Sequence, residues 1–210
     1  MGQHDRERRE RSLRRNPWKR TPRKVILVTC EGEKSEKIYL EGVRAAWRIL
    51  TTEIKVVGVG MTPSKVVEEA IKRKEERCRE ARKGNEVDYD EVWCVFDRDT
   101  HTDFDEALLL AKKSRICVAF SVPCFEIWYL LHFVYTTRPF QNYDELEPVL
   151  KEHIPHYDKT RDYTETLLCR LDAAFQNTRQ LRTFNEVNGT TCPATDVDLL
   201  VQVMKSVADC

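Results

Sequence analysis

Residues 24–32 read KVILVTCEG. The run from Lys24 to Cys30 is short, rich in β-branched residues and almost without polar alternation, the pattern of a strand covered on both faces. Glu31-Gly32 ends it with a turn, so the chain delivers a carboxylate at the carboxyl end of its first strand. A strand of this kind predicts a parallel sheet with helices on either side. Outward from it the same grammar repeats. Ser35–Leu50 spaces Ile38, Val43, Ala46 and Ile49 as one helical face. Glu53–Val59 reads as a second strand ending at Gly58 and Gly60. Thr62-Pro63 is a helix start, and the charged helix behind it runs to about Lys83, where Gly84 stops it. EVWCVF at 91–96 is a third strand, Thr102 with Asp105 caps a helix through Ser114, and Ile116–Ser121 is a fourth strand. The alternation predicts a doubly wound α/β sheet whose site lies beyond the carboxyl ends of its strands.

From Pro123 onward only helical periodicity is visible: Cys124–Phe133, Asp144–His153, Thr164–Leu181, and Asp196–Val207 capped by Thr195. Three segments are expected: a basic, disordered arm over 1–23, an α/β domain over 24–135, and a helical extension over 136–210 packed on the sheet. No internal repeat interrupts this plan.

The chain of 210 residues carries 35 basic and 35 acidic side chains, yet the balance is uneven. Ten basic residues against three acids fall within residues 1–24, so a net of +7 there faces −7 in the remainder. An arginine-rich stretch without apolar periodicity is suited to a polyanion, and Arg8, Arg9, Arg11, Arg14, Arg15, Lys19 and Arg20 are the candidate nucleic-acid contacts. A solubilising tail or a partner-docking segment is the alternative. No apolar run approaches the length of a membrane span, and no apolar segment backs the N-terminal charges, so a cytoplasmic protein is expected. Eight cysteines form no CxxC pair. They read as reduced core thiols, not as zinc ligands or a disulfide framework.

Acidic residues recur at the strand ends. Strand one delivers Glu31; strand three delivers Asp97 and Asp99, whose i, i+2 spacing aligns both carboxylates if the chain is still extended. Strand four ends at Ser121, and the helix opened by Pro123 carries Glu126. Carboxylates gathered on one edge repel one another unless a cation lies between them, and an oxygen-only set favours magnesium or manganese. A bland reading, in which Asp97 and Asp99 only begin the next loop, competes. A haloacid-dehalogenase-like phosphatase needs DxDxT after strand one, whereas here the DxD follows strand three and His101 stands where Thr is required. A receiver-type phosphoacceptor needs a fifth strand followed by Lys, and none is legible. Neither a Walker A loop nor GxGxxG is present.

A Glu-Gly turn after strand one, a Gly turn after strand two and a DxD after strand three resemble the Toprim fold of topoisomerases, primases and OLD-type nucleases. More narrowly, CEGEKSEKIYL at 30–40, EVWCVFDRDTH at 91–101 and SVPCFEIWYLLHF at 121–133 resemble the blocks of the RloB-like family of bacterial proteins, with YDKT at 157–160 and CPAT at 192–195 extending the match. The resemblance implies a Toprim-like mainly parallel sheet and a role in phage defence beside restriction or abortive-infection genes, often with an ATPase partner. By position it makes Glu31 the general acid or base and Asp97 and Asp99 the magnesium ligands, with Glu36 and Glu126 as further candidates. Lys159 and His132 could each stabilise charge on a phosphoryl group; for His132, inside LLHF, a core position is the simpler reading. Trp93, Phe96, Phe125, Trp128 and Tyr129 read as core. The function expected is a magnesium- or manganese-dependent nuclease acting on DNA or RNA. Its rival is a non-catalytic module that binds nucleic acid or a partner.

Overall fold

The computed structural model describes residues 24–56, 62–98 and 102–209. Asp99, His101 and the seven basic candidates between Arg8 and Arg20 lie outside them. The chain runs β1 (Ile26–Cys30), α1 (Ser35–Ala46), β2 (Thr52–Val56), α2 (Pro63–Arg82), β3 (Glu91–Asp97), α3 (Phe104–Lys113), β4 (Cys117–Val122), α4 (Glu126–Leu131), α5 (Tyr143–His153), α6 (Thr164–Leu168), α7 (Leu171–Asn188), β5 (Ala194–Thr195) and α8 (Val197–Ala208). The strands form one sheet in the order β2-β1-β3-β4-β5. The first four are parallel and β5 joins β4 antiparallel. This is the mainly parallel α/β architecture that the first strand's double-sided burial predicts.

Alternation along each strand builds two cores. Ile26, Val28 and Cys30 of β1 join Trp93 and Val95 of β3 in the larger one, with Tyr39, Leu40 and Val43 of α1 and the apolar faces of α4, α5, α7 and α8. Leu27, Val92, Cys94 and Phe96 face the other way onto Val66, Val67 and Ala70 of α2 and Phe104, Ala107 and Ala111 of α3. The five aromatic residues read as core are all buried, and Trp128 is 0 % exposed. Truncating one such ring would cost about 3–5 kcal/mol.

Several boundaries differ from the sequence reading, each for a local reason. Two-residue β5 interrupts a tail expected to be helical throughout; one pair of register positions, Ser121↔Thr195 and Val122↔Ala194, is too short to leave a period. The helix expected over 164–181 is two. Its second part continues past Leu181, the last buried position, to Asn188, where Gly189 at φ +65° forms the left-handed cap. Phe184 and Val187 carry the apolar spacing past Leu181 without being buried, and the glycine marks the end. At α3 the cap is Asp103 and not Thr102. The Asp103 carboxylate accepts the backbone N–H of Ser64 at 3.0 Å and so ties the start of α2 to the start of α3. Seven described cysteines are free; Cys30, Cys94 and Cys124 are buried, whereas Cys117 and Cys169 are exposed and are not core thiols. Among the described residues no helix is long and apolar enough to cross a membrane.

Candidate metal centre at the sheet edge

The chain leaves β1 for β2 on one side and returns with β3 on the other, so the strand order reverses between β1 and β3. Loops diverge at such a point, and the crevice beyond the strand ends is where open α/β sheets bind ligands. Register fixes what lies there. Cys30 pairs with Val95, and the Glu31 backbone N–H continues the ladder to the Val95 carbonyl at 3.2 Å. Asp97, two residues beyond Val95, ends β3 opposite Ser121 and follows Trp93 and Val95 on the larger-core face. Its Oδ1 is buried and, among the described residues, has no hydrogen-bond partner.

Two helix starts add carboxylates. Glu36 lies in the first turn of α1 and is 5 % exposed; its Oε2 accepts the Gly32 backbone N–H at 2.6 Å. Glu126 lies in the first turn of α4 and is 2 % exposed. Its Oε1 accepts from the Ser35 hydroxyl at 2.7 Å and the Tyr157 hydroxyl at 3.2 Å, and the Lys159 ammonium stands 3.4 Å away. That ammonium also rests over the Tyr143 ring, 3.5 Å from its centroid, which narrows where it can point. Tyr129 completes the frame by donating to the Ser35 carbonyl at 3.0 Å.

The four carboxylates feel one another. Burial pushes the Asp97 carboxyl well above the usual carboxylate range; the charges on Glu36, Glu126 and Glu31 push the same way, against the Phe125 backbone N–H. Burial likewise raises Glu36 to about 8, with Glu31 and Glu126 adding to the shift while the Gly32 N–H and Lys159 oppose it. Burial also raises the Cys124 thiol, with further contributions from Glu126 and Asp97. Carboxylates that raise one another in this way are relieved when a cation takes the place of a proton among them.

Of the residues singled out in the sequence, Glu31, Glu36, Asp97 and Glu126 are thus brought into electrostatic contact, and Lys159 joins them through Glu126. Asp99 and the basic segment lie outside the described residues. His132 is 1 % exposed, its Nδ1 lies 2.8 Å from the Trp128 carbonyl, and burial lowers its pKa to about 4, so it is a neutral core histidine. Ser35, Tyr143 and Tyr157 were not singled out. Ser35 and Tyr157 fall inside the family-like blocks at 30–40 and 157–160, the one signal that could have marked them; Tyr143 carries none.

The donors suit a hard dication in kind: they are carboxylate oxygens, and among the described residues the Asp97 Oδ1 has no other partner. Among the described residues, no three His, Cys, Asp or Glu side chains are already grouped closely enough to hold a metal ion.

A comparison with protein families matches the model described as RloB-like protein to residues 26–204. No match to this chain is found among curated proteins. The match spans both cores, the carboxylates at the sheet edge, the helix that carries Glu126 and the turn that carries Lys159, and the chain belongs to the RloB-like family.

Proposed function

We propose that the protein is a magnesium- or manganese-dependent nuclease that hydrolyses phosphodiesters of DNA or RNA in bacterial phage defence, under the control of a partner such as an ATPase encoded nearby. The observation that carries this reading is the buried Asp97 Oδ1, without a hydrogen-bond partner among the described residues, beside the carboxylates Glu31, Glu36 and Glu126 at the strand-order reversal. Toprim kinship, read from the Glu-Gly turn and the DxD, points to the same edge. Glu31, Asp97 and Asp99 would hold the ion, with Glu36 and Glu126 as supporting donors. When bound, such an ion supplies Lewis acidity at a phosphoryl oxygen and lowers the pKa of a water.

The chain's own groups have separable tasks. Glu31, as general acid or base, moves a proton at the attacking water or the leaving oxygen. Lys159, held between Glu126 and the Tyr143 ring, offers an ammonium to the charge that develops on the phosphoryl group. Ser35 and Tyr157 keep Glu126 oriented.

The rival reading is a non-catalytic module that binds nucleic acid or a partner. Incubating the pure protein with plasmid, single-stranded DNA and transfer RNA in magnesium or manganese, beside a Glu31→Gln control, separates the two. Metal-dependent cleavage lost in the control supports the nuclease. Binding with no cleavage in either protein supports the module.

A further inference from the structure

A cavity of about 410 Å³ lies toward the other edge of the sheet, between β4, β5, α3 and α7. Its volume is in the range of small-ligand sites, about 300–1,000 Å³. None of the carboxylates discussed above lines it. Phe104, Phe120, Val122 and Leu181 make most of its wall apolar. Thr178, 1 % exposed, also lines it, and among the described residues its hydroxyl has no hydrogen-bond partner.

Two guanidinium groups border this cavity and they differ. Arg182 is committed, with Nη2 at 2.7 Å from Asp198 and 3.0 Å from Asp196. Arg98 is exposed, and among the described residues its guanidinium meets only the Thr191 hydroxyl at 3.4 Å and the Phe104 ring at 5.5 Å. Its backbone is fixed, because its N–H donates to the Ser121 carbonyl at 2.9 Å. An apolar, partly aromatic chamber bordered by a guanidinium that has no ion pair among the described residues suits a flat ring that carries an anion. Arg is also the side chain whose planar fork matches a phosphate.

We propose that this cavity binds one nucleotide, with its base against Phe120 and Leu181 and its phosphate on Arg98. Arg98 directly follows Asp97 at the end of β3, so the phosphate it holds lies at the carboxyl-end edge of the sheet, on the face opposite to the one that Asp97 shares with the larger core. A strand with one base in the cavity would lay its backbone along that edge, and the base must be unpaired to enter. That the cavity takes a nucleotide is independent of the nuclease reading; that the nucleotide belongs to a substrate strand rests on it. A free mononucleotide shares the same chemistry.

Binding in EDTA keeps cleavage out of the measurement. Fluorescence anisotropy of a labelled single-stranded oligonucleotide is read for the full chain, with duplex of the same sequence and free mononucleotides as competitors. Arg98→Gln should weaken binding about tenfold. Glu186→Gln, which removes an exposed negative charge from the lining, should strengthen it severalfold. Ala194→Leu, which fills the chamber, should weaken it at least as much as Arg98→Gln; because Ala194 sits in β5, the two exposed-site variants stand as the test should that protein misfold. Competition by single strand but not by duplex or mononucleotide assigns the site to a strand. Competition by mononucleotide at equal or lower concentration assigns it to a free nucleotide. Unchanged affinity for every probe in folded Arg98→Gln and Glu186→Gln overturns the proposal, even if metal-dependent cleavage is present. Conversely, altered binding in EDTA, together with no cleavage by the parent protein in magnesium or manganese, leaves the cavity assignment standing and removes the nuclease reading.

Discussion

The Gly32 backbone N–H donates to the Glu36 Oε2 at 2.6 Å, and a Cβ on residue 32 would stand only 3.0 Å from that same oxygen. The turn after β1 therefore uses glycine for close approach, so that a buried carboxyl can be held by the backbone at the edge of the sheet.

Replacing Gly32 with Ala should destabilise the protein for that reason. The substitution restricts the unfolded chain, a gain of about 0.4–1 kcal/mol. Displacing Glu36 from its donor leaves buried polar groups unsatisfied, a loss of about 1–3 kcal/mol. The loss is larger, and a fall of about 2–4 °C in the thermal midpoint is expected for a chain of this size. A midpoint equal to or above that of the parent protein would show that Glu36 moves aside freely.

Stability of the metal-free protein should fall as pH rises from 7 to 8. Glu36, raised to about 8, binds a proton in the folded state that the unfolded chain has released by about pH 4–5. A carboxyl raised in the folded state stabilises fully below its unfolded pKa, and that contribution is lost as pH climbs through the folded value. Asp97 acts in the same direction. His132, lowered to about 4, acts oppositely, and its effect fades as pH climbs past the unfolded value of about 6.5, while the thiols of Cys30, Cys94 and Cys124, raised by burial, join Glu36 only as pH nears their unfolded value of about 8.5. A slope of about 1 kcal/mol per pH unit is expected from Glu36 alone. Urea midpoints measured in EDTA should show it, and Glu36→Gln should flatten it. An equal slope in that variant would mean that the titrating group lies elsewhere.

Much of this arrangement was legible because the signals were local. The β1 run announced double-sided burial, Thr62-Pro63 announced α2, and strand ends carried Glu31 and Asp97 to one edge by topology alone. Glu126 was reachable because Pro123 opens its helix immediately after β4. What stayed hidden depends on long-range packing. Tyr157 reaches Ser35 and Glu126 across 122 and 31 positions, and nothing periodic marks a tyrosine that will become a hydrogen-bond donor to a distant carboxylate. The face that Tyr143 offers to Lys159 is equally silent, since an aromatic residue opening an amphipathic helix reads as core. β5 was lost to its brevity, and with it the cavity beside Arg98.

Magnesium or manganese should raise the thermal midpoint by mass action, with about 2.7 kcal/mol of stabilisation at a hundredfold excess over the dissociation constant. Replacing Asp97 and Asp99 together with Asn should abolish the response. The metal-free double variant should be at least as stable as the parent, because a buried carboxyl crowded by Glu36 and Glu126 is exchanged for a neutral amide. Differential scanning fluorimetry across a metal titration reads both effects. A midpoint shift of unchanged size in the double variant would place the cation elsewhere.

The basic N-terminal segment should supply affinity for nucleic acid without supplying chemistry. Residues 1–22 hold eight of the ten basic side chains that precede Val25. Each phosphate neutralised on a duplex contributes about 0.9 to the log-log salt slope, so full engagement would add roughly 7, and the acids Asp5, Glu7 and Glu10 reduce it. Deleting residues 1–22 should therefore weaken binding to all nucleic acids alike and flatten its salt dependence. The carboxylates lie on the sheet edge, so the truncated protein should need more substrate while keeping its metal-dependent turnover at saturation. Binding isotherms at four salt concentrations, with and without the segment, measure the difference in slope directly. Parallel lines of equal affinity would take nucleic acid away from this segment and make a protein partner its counterpart.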